Sequence, residues 1–131
     1  VEGVIKENRG TIDAPIGRDP KDRLKMKVVS GGKEAVTHFS VIKRYHNKTL
    51  IECVLDTGRT HQIRVHLAYI NHPVVNDPVY GNSKKATSFG QMLHSYKIEL
   101  IEPITKEHLE FTKDVPLEFK AYLDELDSVE N

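Results

Sequence analysis

Cysteine is nearly missing from this chain. Cys53 stands alone among 131 residues, so no disulfide can staple the fold from within. A lone thiol fits a reducing compartment, and the expected location is the cytoplasm. Cys53 sits in the alternating run TLIECVL, where it reads as a small buried hydrophobe rather than a reactive thiol. Long hydrophobic runs are missing too: no stretch approaches the roughly 20 apolar residues of a membrane span, so no membrane partner is expected. Internal repeats and low-complexity tracts are also absent. Net charge is zero, with 19 Lys+Arg against 19 Asp+Glu. That balance hides a split, because residues 1–66 hold 13 basic against 8 acidic side chains and residues 67–131 hold 6 against 11. The densest basic stretch contains Arg18, Lys21, Arg23, Lys25, Lys27 and Lys33 against only Asp19 and Asp22. A polyanion would meet the first half of the chain.

Several chemistries lack their residues. One cysteine cannot build a structural zinc site, and no C-x-x-C or H-x-x-x-H pair occurs. His61 and His66 lie about 140° apart on a helix and cannot clamp one ion, so no metal is expected. His38, His72, His94 and His108 read as surface or hydrogen-bonded residues. There is no G-x-S-x-G elbow and no G-x-x-x-x-G-K-[ST] phosphate loop. Asp13, Asp19, Asp56 and Asp77 all stand beside turn glycines or prolines, where aspartate serves the backbone rather than a carboxylate pair.

Punctuation gives the expected architecture. Residues 1–6 form a short apolar start, read as a strand. GTIDAPIGRDP (10–20) is a loop with extended pieces, and 26–29 is expected to pair forward across Ser30-Gly31-Gly32-Lys33. Runs 35–45 and 49–55 form a hairpin around His46-Asn47-Lys48. Phe39 and Val41 share one face, and Ile51, Cys53 and Leu55 another. A helix over 60–70 follows, then a loop at 72–81 and a mobile stretch at 84–90. Strands are expected at 93–100 and 109–111, and a closing amphipathic helix at 116–126 with Pro116 in its first turn. The sum is a single-domain α+β fold: a mixed, largely antiparallel sheet with at least two helices.

The richest block is TGRTHQIRVHLA (57–68). Ile63, Leu67 and Ile70 keep helical time, and Gly58 breaks the strand-like run before them. Arg59, Thr60, His61 and Gln62 therefore stand at a helix mouth, where free N–H groups and the helix dipole favour an anion. Arg64 lies one turn beyond His61 on the same side. Such a cluster of donors suits phosphate or carboxylate.

Three blocks in order, GTIDAPIGRDPKDRLKM (10–26), TGRTHQIRVHLA (57–68) and NHPVVNDPVYG (71–81), resemble the C-terminal half of the catalytic domain of RluA/RluD-type RNA pseudouridine synthases. QMLHSYKIEL (91–100) extends the likeness. Asn76 stands where glycine is more typical, and Ser95 where alanine is. The resemblance implies isomerisation of uridine to pseudouridine in structured RNA, without cofactor or metal, in part of a long bent mixed sheet with the active cleft across its middle. Large-subunit ribosomal RNA is the preferred substrate, with transfer RNA as the other. In such enzymes one aspartate, in a motif like HRLDxxTSGLL, is the nucleophilic or charge-stabilising group, and a tyrosine in a KxYxAxV-like strand handles a proton. The second arginine of the RTHQIR block pairs with that aspartate. This last role transfers to Arg64, whose guanidinium can grip a carboxylate in two parallel hydrogen bonds. Arg59, Thr60, His61 and Gln62 would face the RNA. Arg18, Arg23 and Lys25 would grip phosphates while the uridine is flipped out.

No HRLD-like or KxYxAxV-like stretch occurs in these residues. The chain is therefore expected to be a fragment of a longer enzyme, inactive by itself. It is also expected to expose a truncated apolar face through which it self-associates. Two other classes compete: a non-catalytic RNA-binding module, and a small-molecule anion-binding domain built on the helix mouth.

Overall fold

The computed structural model describes residues 1–81 and 90–93, together with the backbone of two later strands, Lys97–Ile101 and His108–Thr112. The chain divides into two units, Val1–Met92 and Leu93–Asn131. The first contains β1 (Arg9–Asp13), β2 (Ile16–Arg18), β3 (Met26–Val28), β4 (Val36–Arg44), β5 (Thr49–Leu55) and the helix α1 (Gln62–Tyr69). The second contributes the antiparallel pair β6 (Lys97–Ile101) and β7 (His108–Thr112). Every strand pair described is antiparallel, which with α1 gives an α+β fold. The expected helix at 116–126, Ser95, His94 and most of the 84–90 stretch lie outside the described residues.

The long hairpin β4–β5 is the frame of the first unit, closed where Tyr45 N–H donates to the Lys48 carbonyl at 2.9 Å. Its turn falls at the residues expected. Its faces do not, because Phe39 stands opposite Cys53 and Val41 opposite Ile51, and directly opposed residues share one side of a sheet. All four pack into a single core with Ile5, Ile12, Leu67 and Val74, while Leu55 is left 40% exposed. The register slips between Val41 and Lys43, so Ile42 is the extra residue of a bulge and turns outward.

β1 completes a three-stranded sheet in the order β1-β4-β5. The Phe39 ring lies across Gly10, where an added Cβ would fall 2.7 Å from it. The extended pieces expected within residues 10–20 are β1 and β2, parted at Ala14 and Pro15. The apolar start is not a strand; it lies along β5's entrance, with a Glu2–Lys48 bridge, Thr49 N–H donating to the Val1 carbonyl at 3.0 Å and Gly3 N–H to the Asn47 carbonyl at 2.8 Å.

β3 pairs backward with β2, not forward across the two glycines. After β3 the chain bends at Gly31 and Gly32 and brings Lys33 to the other side of Ile16, with Ile16 N–H to Lys33 carbonyl at 2.9 Å and the reverse bond at 2.8 Å. Gly32 makes this possible, since a Cβ there would meet the Ile16 carbonyl carbon at 2.7 Å. α1 packs on β3 and β4. Leu67 enters the main core, and Val65 joins Ile16 and Ala35 in a second cluster bordered by Met26, Val28 and Tyr80.

Candidate functional site

The helix mouth is built inward before it faces outward. His61 precedes α1 with φ 56°, left-handed backbone that few residues other than glycine adopt. This single residue shortens the expected helix at its start. Gln62, expected to face RNA, is instead 3% exposed. Its Oε1 accepts from the Thr57 hydroxyl at 2.7 Å and from Arg59 N–H at 3.0 Å. Its Nε2 donates to the Val36 carbonyl at 2.9 Å and to Thr37 Oγ1 at 3.0 Å. Gln62 ties the loop after β5 to β4, and it takes up one of the backbone N–H groups expected to await an anion.

The bond chain continues into the core. Thr37, accepting from Gln62, gives its own proton to His66 Nδ1 at 2.7 Å, and His66 Nε2 donates to the Ala14 carbonyl at 2.9 Å. His66 is fully buried and joins α1 to the end of β1. His61 and His66 point to different partners. Among the described residues, no group of three or more His, Cys, Asp or Glu side chains gathers that could hold a metal. His38 stays on the surface between Thr11 and Asp56, and His72 donates to the Glu2 carbonyl.

Arg64 is where the expectation needs correcting most. Its guanidinium was expected to wait for a carboxylate from elsewhere. A local one already holds it: Nε donates to Asp77 Oδ2 and Nη2 to Asp77 Oδ1, both at 2.8 Å. Both residues are buried, and Asp77 Oδ1 also accepts from the Val79 and Tyr80 N–H groups at 2.9 and 3.1 Å. Asp77 therefore serves its turn, as expected of an aspartate beside proline, and also carries the ion pair that sequence spacing did not reveal. Burial alone would raise its pKa, but the Arg64 hydrogen bonds and the two backbone N–H groups outweigh that and hold it below the ordinary 3.8. Only one edge of the guanidinium is used, and Nη1 has no partner among the described residues.

Tyr80 collects the rest of the site. The Arg64 guanidinium lies over its ring at 5.1 Å, and the His61 ring meets it edge-on with centroids 5.6 Å apart. The Tyr80 hydroxyl contacts His61 Nδ1 at 2.8 Å and Met26 N–H at 3.0 Å. His61 and Arg64 do share a side, as their spacing implied. Met26 opens β3 and stands opposite Arg18, so the basic hairpin is rooted at the same tyrosine. Tyr80 was absent from the sequence-level candidates; its place in the third block was the available signal.

The remaining candidates stand around this centre. Arg59 Nε donates to the Glu34 carbonyl at 2.8 Å, and Thr60 is exposed. On the β2–β3 hairpin, Arg18 and Arg23 are exposed and Lys25 half-buried, with Arg18 Nη1 donating to the Arg23 carbonyl at 2.6 Å. Asx turns at Asp19 and Asp22 shape the hairpin loop, which leaves Leu24 87% exposed at its tip.

A basic hairpin and a helix mouth joined through Tyr80, beside one buried ion pair, define a site on an α+β sheet. Comparison gives that arrangement its family: residues 3–69, just over half of the chain, match the RNA pseudouridylate synthases, and the chain belongs to that family. It is 48% identical over 126 residues to a Bacillus subtilis protein described as an uncharacterized RNA pseudouridine synthase, covering 96% of this chain and 42% of that one. It is 46% identical over 119 residues to the ribosomal large subunit pseudouridine synthase D of Neisseria meningitidis, covering 82% and 32%. The solved human RNA pseudouridylate synthase domain containing 1 superposes with a TM-score of 0.73 at 31% identity, over 86% of this chain and 50% of that one. The chain thus spans about two fifths of the curated relatives' length.

Proposed function

We propose that this chain is the RNA-facing part of a longer enzyme that converts uridine to pseudouridine in large-subunit ribosomal RNA. Family membership carries the reaction class, and the name of the Neisseria relative supports the choice of RNA. The observation that carries the site is the half-used guanidinium of Arg64. Asp77 fixes its Nε edge, which leaves the Nη1 end as a rigid donor for a second carboxylate. That carboxylate is the catalytic aspartate supplied by sequence outside these residues. Arg64 orients it and lowers its pKa. Arg59, Thr60 and His61 line the approach, and Arg18, Arg23 and Lys25 grip phosphates beside the flipped nucleotide. Gln62 acts from inside by holding the loop that carries them. No cofactor or metal takes part, and the protein works in the cytoplasm.

A tritium-release assay on ribosomal RNA labelled at uridine C5 tests this reading. The chain alone gives no release, because no HRLD-like stretch is present; turnover by the chain alone would refute it. The same absence favours a second reading, a non-catalytic RNA-binding module. That reading predicts salt-dependent RNA binding but no turnover even when the rest of the protein is present.

A further inference from the structure

A fixed backbone donor biases how the protons are arranged around Tyr80. The Met26 backbone N–H can only donate, so at 3.0 Å it gives its hydrogen to the Tyr80 oxygen. The hydroxyl's own hydrogen is then free for His61 Nδ1, which lies 2.8 Å away. An imidazole that accepts at Nδ1 carries its proton at Nε2. Among the described residues His61 Nε2 has no partner, although the residue is half-buried at the helix mouth.

We propose that Tyr80 is a positioning residue that locks His61 as the neutral Nε2–H tautomer, making Nε2–H a fixed donor for an acceptor oxygen of the bound RNA. This rests on the reading of the site as an RNA site. Met26 N–H and Tyr80 form the lock, and the left-handed backbone at His61 sets where the ring projects. The charged groups facing the ring agree. Burial first and Arg64 second lower the His61 pKa below its ordinary 6.5, and Asp77 only partly opposes them. A neutral donor suits a site already rich in arginine: it adds direction without adding charge. The acceptor is a uracil carbonyl or a phosphate oxygen.

Nitrogen-15 NMR of the imidazole rings in the intact chain reads the tautomer without any RNA. The native chain should show His61 Nδ1 unprotonated and Nε2 protonated at pH 7; the opposite tautomer overturns the proposal. Tyr80→Phe keeps the ring over Arg64 but removes the hydroxyl, so His61 should become a tautomer mixture while the backbone amide spectrum stays native. An unchanged tautomer in Tyr80→Phe would also overturn it. Binding to a uridine-containing stem-loop gives the second arm. Tyr80→Phe and His61→Ala should each weaken binding roughly 2- to 10-fold, the scale of one directed hydrogen bond, and His61→Gln, which keeps a donor near Nε2, should recover part of it. Equal binding by native and His61→Ala chains removes the donor role even if the tautomer is as stated. An oligonucleotide abasic at the target position separates the acceptors: the His61 effect vanishes for a carbonyl and persists for a phosphate. Absence of RNA binding by the native chain defeats the RNA reading and leaves the lock standing on the NMR result.

Discussion

Asp77 shows most clearly what one residue decides. It is a turn aspartate by sequence, yet its carboxylate neutralises a buried arginine and orders the Asn76–Tyr80 turn at once. Removing one partner of a buried ion pair leaves an uncompensated charge, so Asp77→Ala should cost about 3–5 kcal/mol of stability, read from urea unfolding. The pH dependence has a definite sign. The native carboxyl titrates below its unfolded value near 3.8, so the stabilisation is whole above that pH and is lost as pH falls through the native pKa. His61, also lowered in the native state, loses stability in the same direction as it protonates. The acid limb of a urea-midpoint profile should therefore flatten in Asp77→Ala. Asn76, in the place of a typical glycine, has φ 63° and donates from Nδ2 to the Gly90 carbonyl at 2.7 Å, so its side chain compensates a strained backbone. Cys53 is half-buried against the core, and burial first, with Glu52 adding, pushes its pKa to about 11 against the opposing pull of the Val1 ammonium. It should resist iodoacetamide at pH 8 in the folded chain and react once unfolded.

At the scale of elements, the β4–β5 hairpin was legible because alternation and a short polar turn agree. The β2–β3 hairpin was not. Two adjacent glycines at 31 and 32 look like a hairpin turn, and nothing local says that Gly32 is there to pass close to Ile16. The helix was legible in its apolar stripe and illegible in its polar side. α1 buries Gln62, Arg64 and His66 along with Val65 and Leu67, so polarity no longer marks the solvent face. That is why Gln62 was read as facing RNA and the Arg64–Asp77 pair was missed. The β2–β3 hairpin is exposed, basic and tied to the site through Met26 and Tyr80. Replacing Arg18, Arg23 or Lys25 by alanine should weaken RNA binding almost independently of sequence. Each phosphate contact removed should lower the slope of log K against log salt by roughly 0.7–0.9.

For the whole molecule, the three sequence blocks that carry the resemblance also meet in space. The first supplies β1, β2 and the basic hairpin, the second the helix mouth, and the third Asp77 and Tyr80. Composition and periodicity could not show that convergence. β5 is an edge strand among the described residues, with Val54 57% and Leu55 40% exposed. We expect the chain to associate with itself through this edge, giving a concentration-dependent mass in light scattering; a monomer at all concentrations would contradict that. On the proposed function, Arg64, braced by Asp77, serves an aspartate from outside these residues. Grafting this chain into the corresponding region of the Neisseria large subunit pseudouridine synthase D, of which it covers 32%, and following tritium release from uridine-labelled large-subunit ribosomal RNA tests it directly. The graft should release tritium, the chain alone none, and the Arg64→Lys graft, where the guanidinium fork is gone, should lose activity on the order of 100-fold. Full activity in the Arg64→Lys graft, or release by the chain alone, would contradict it.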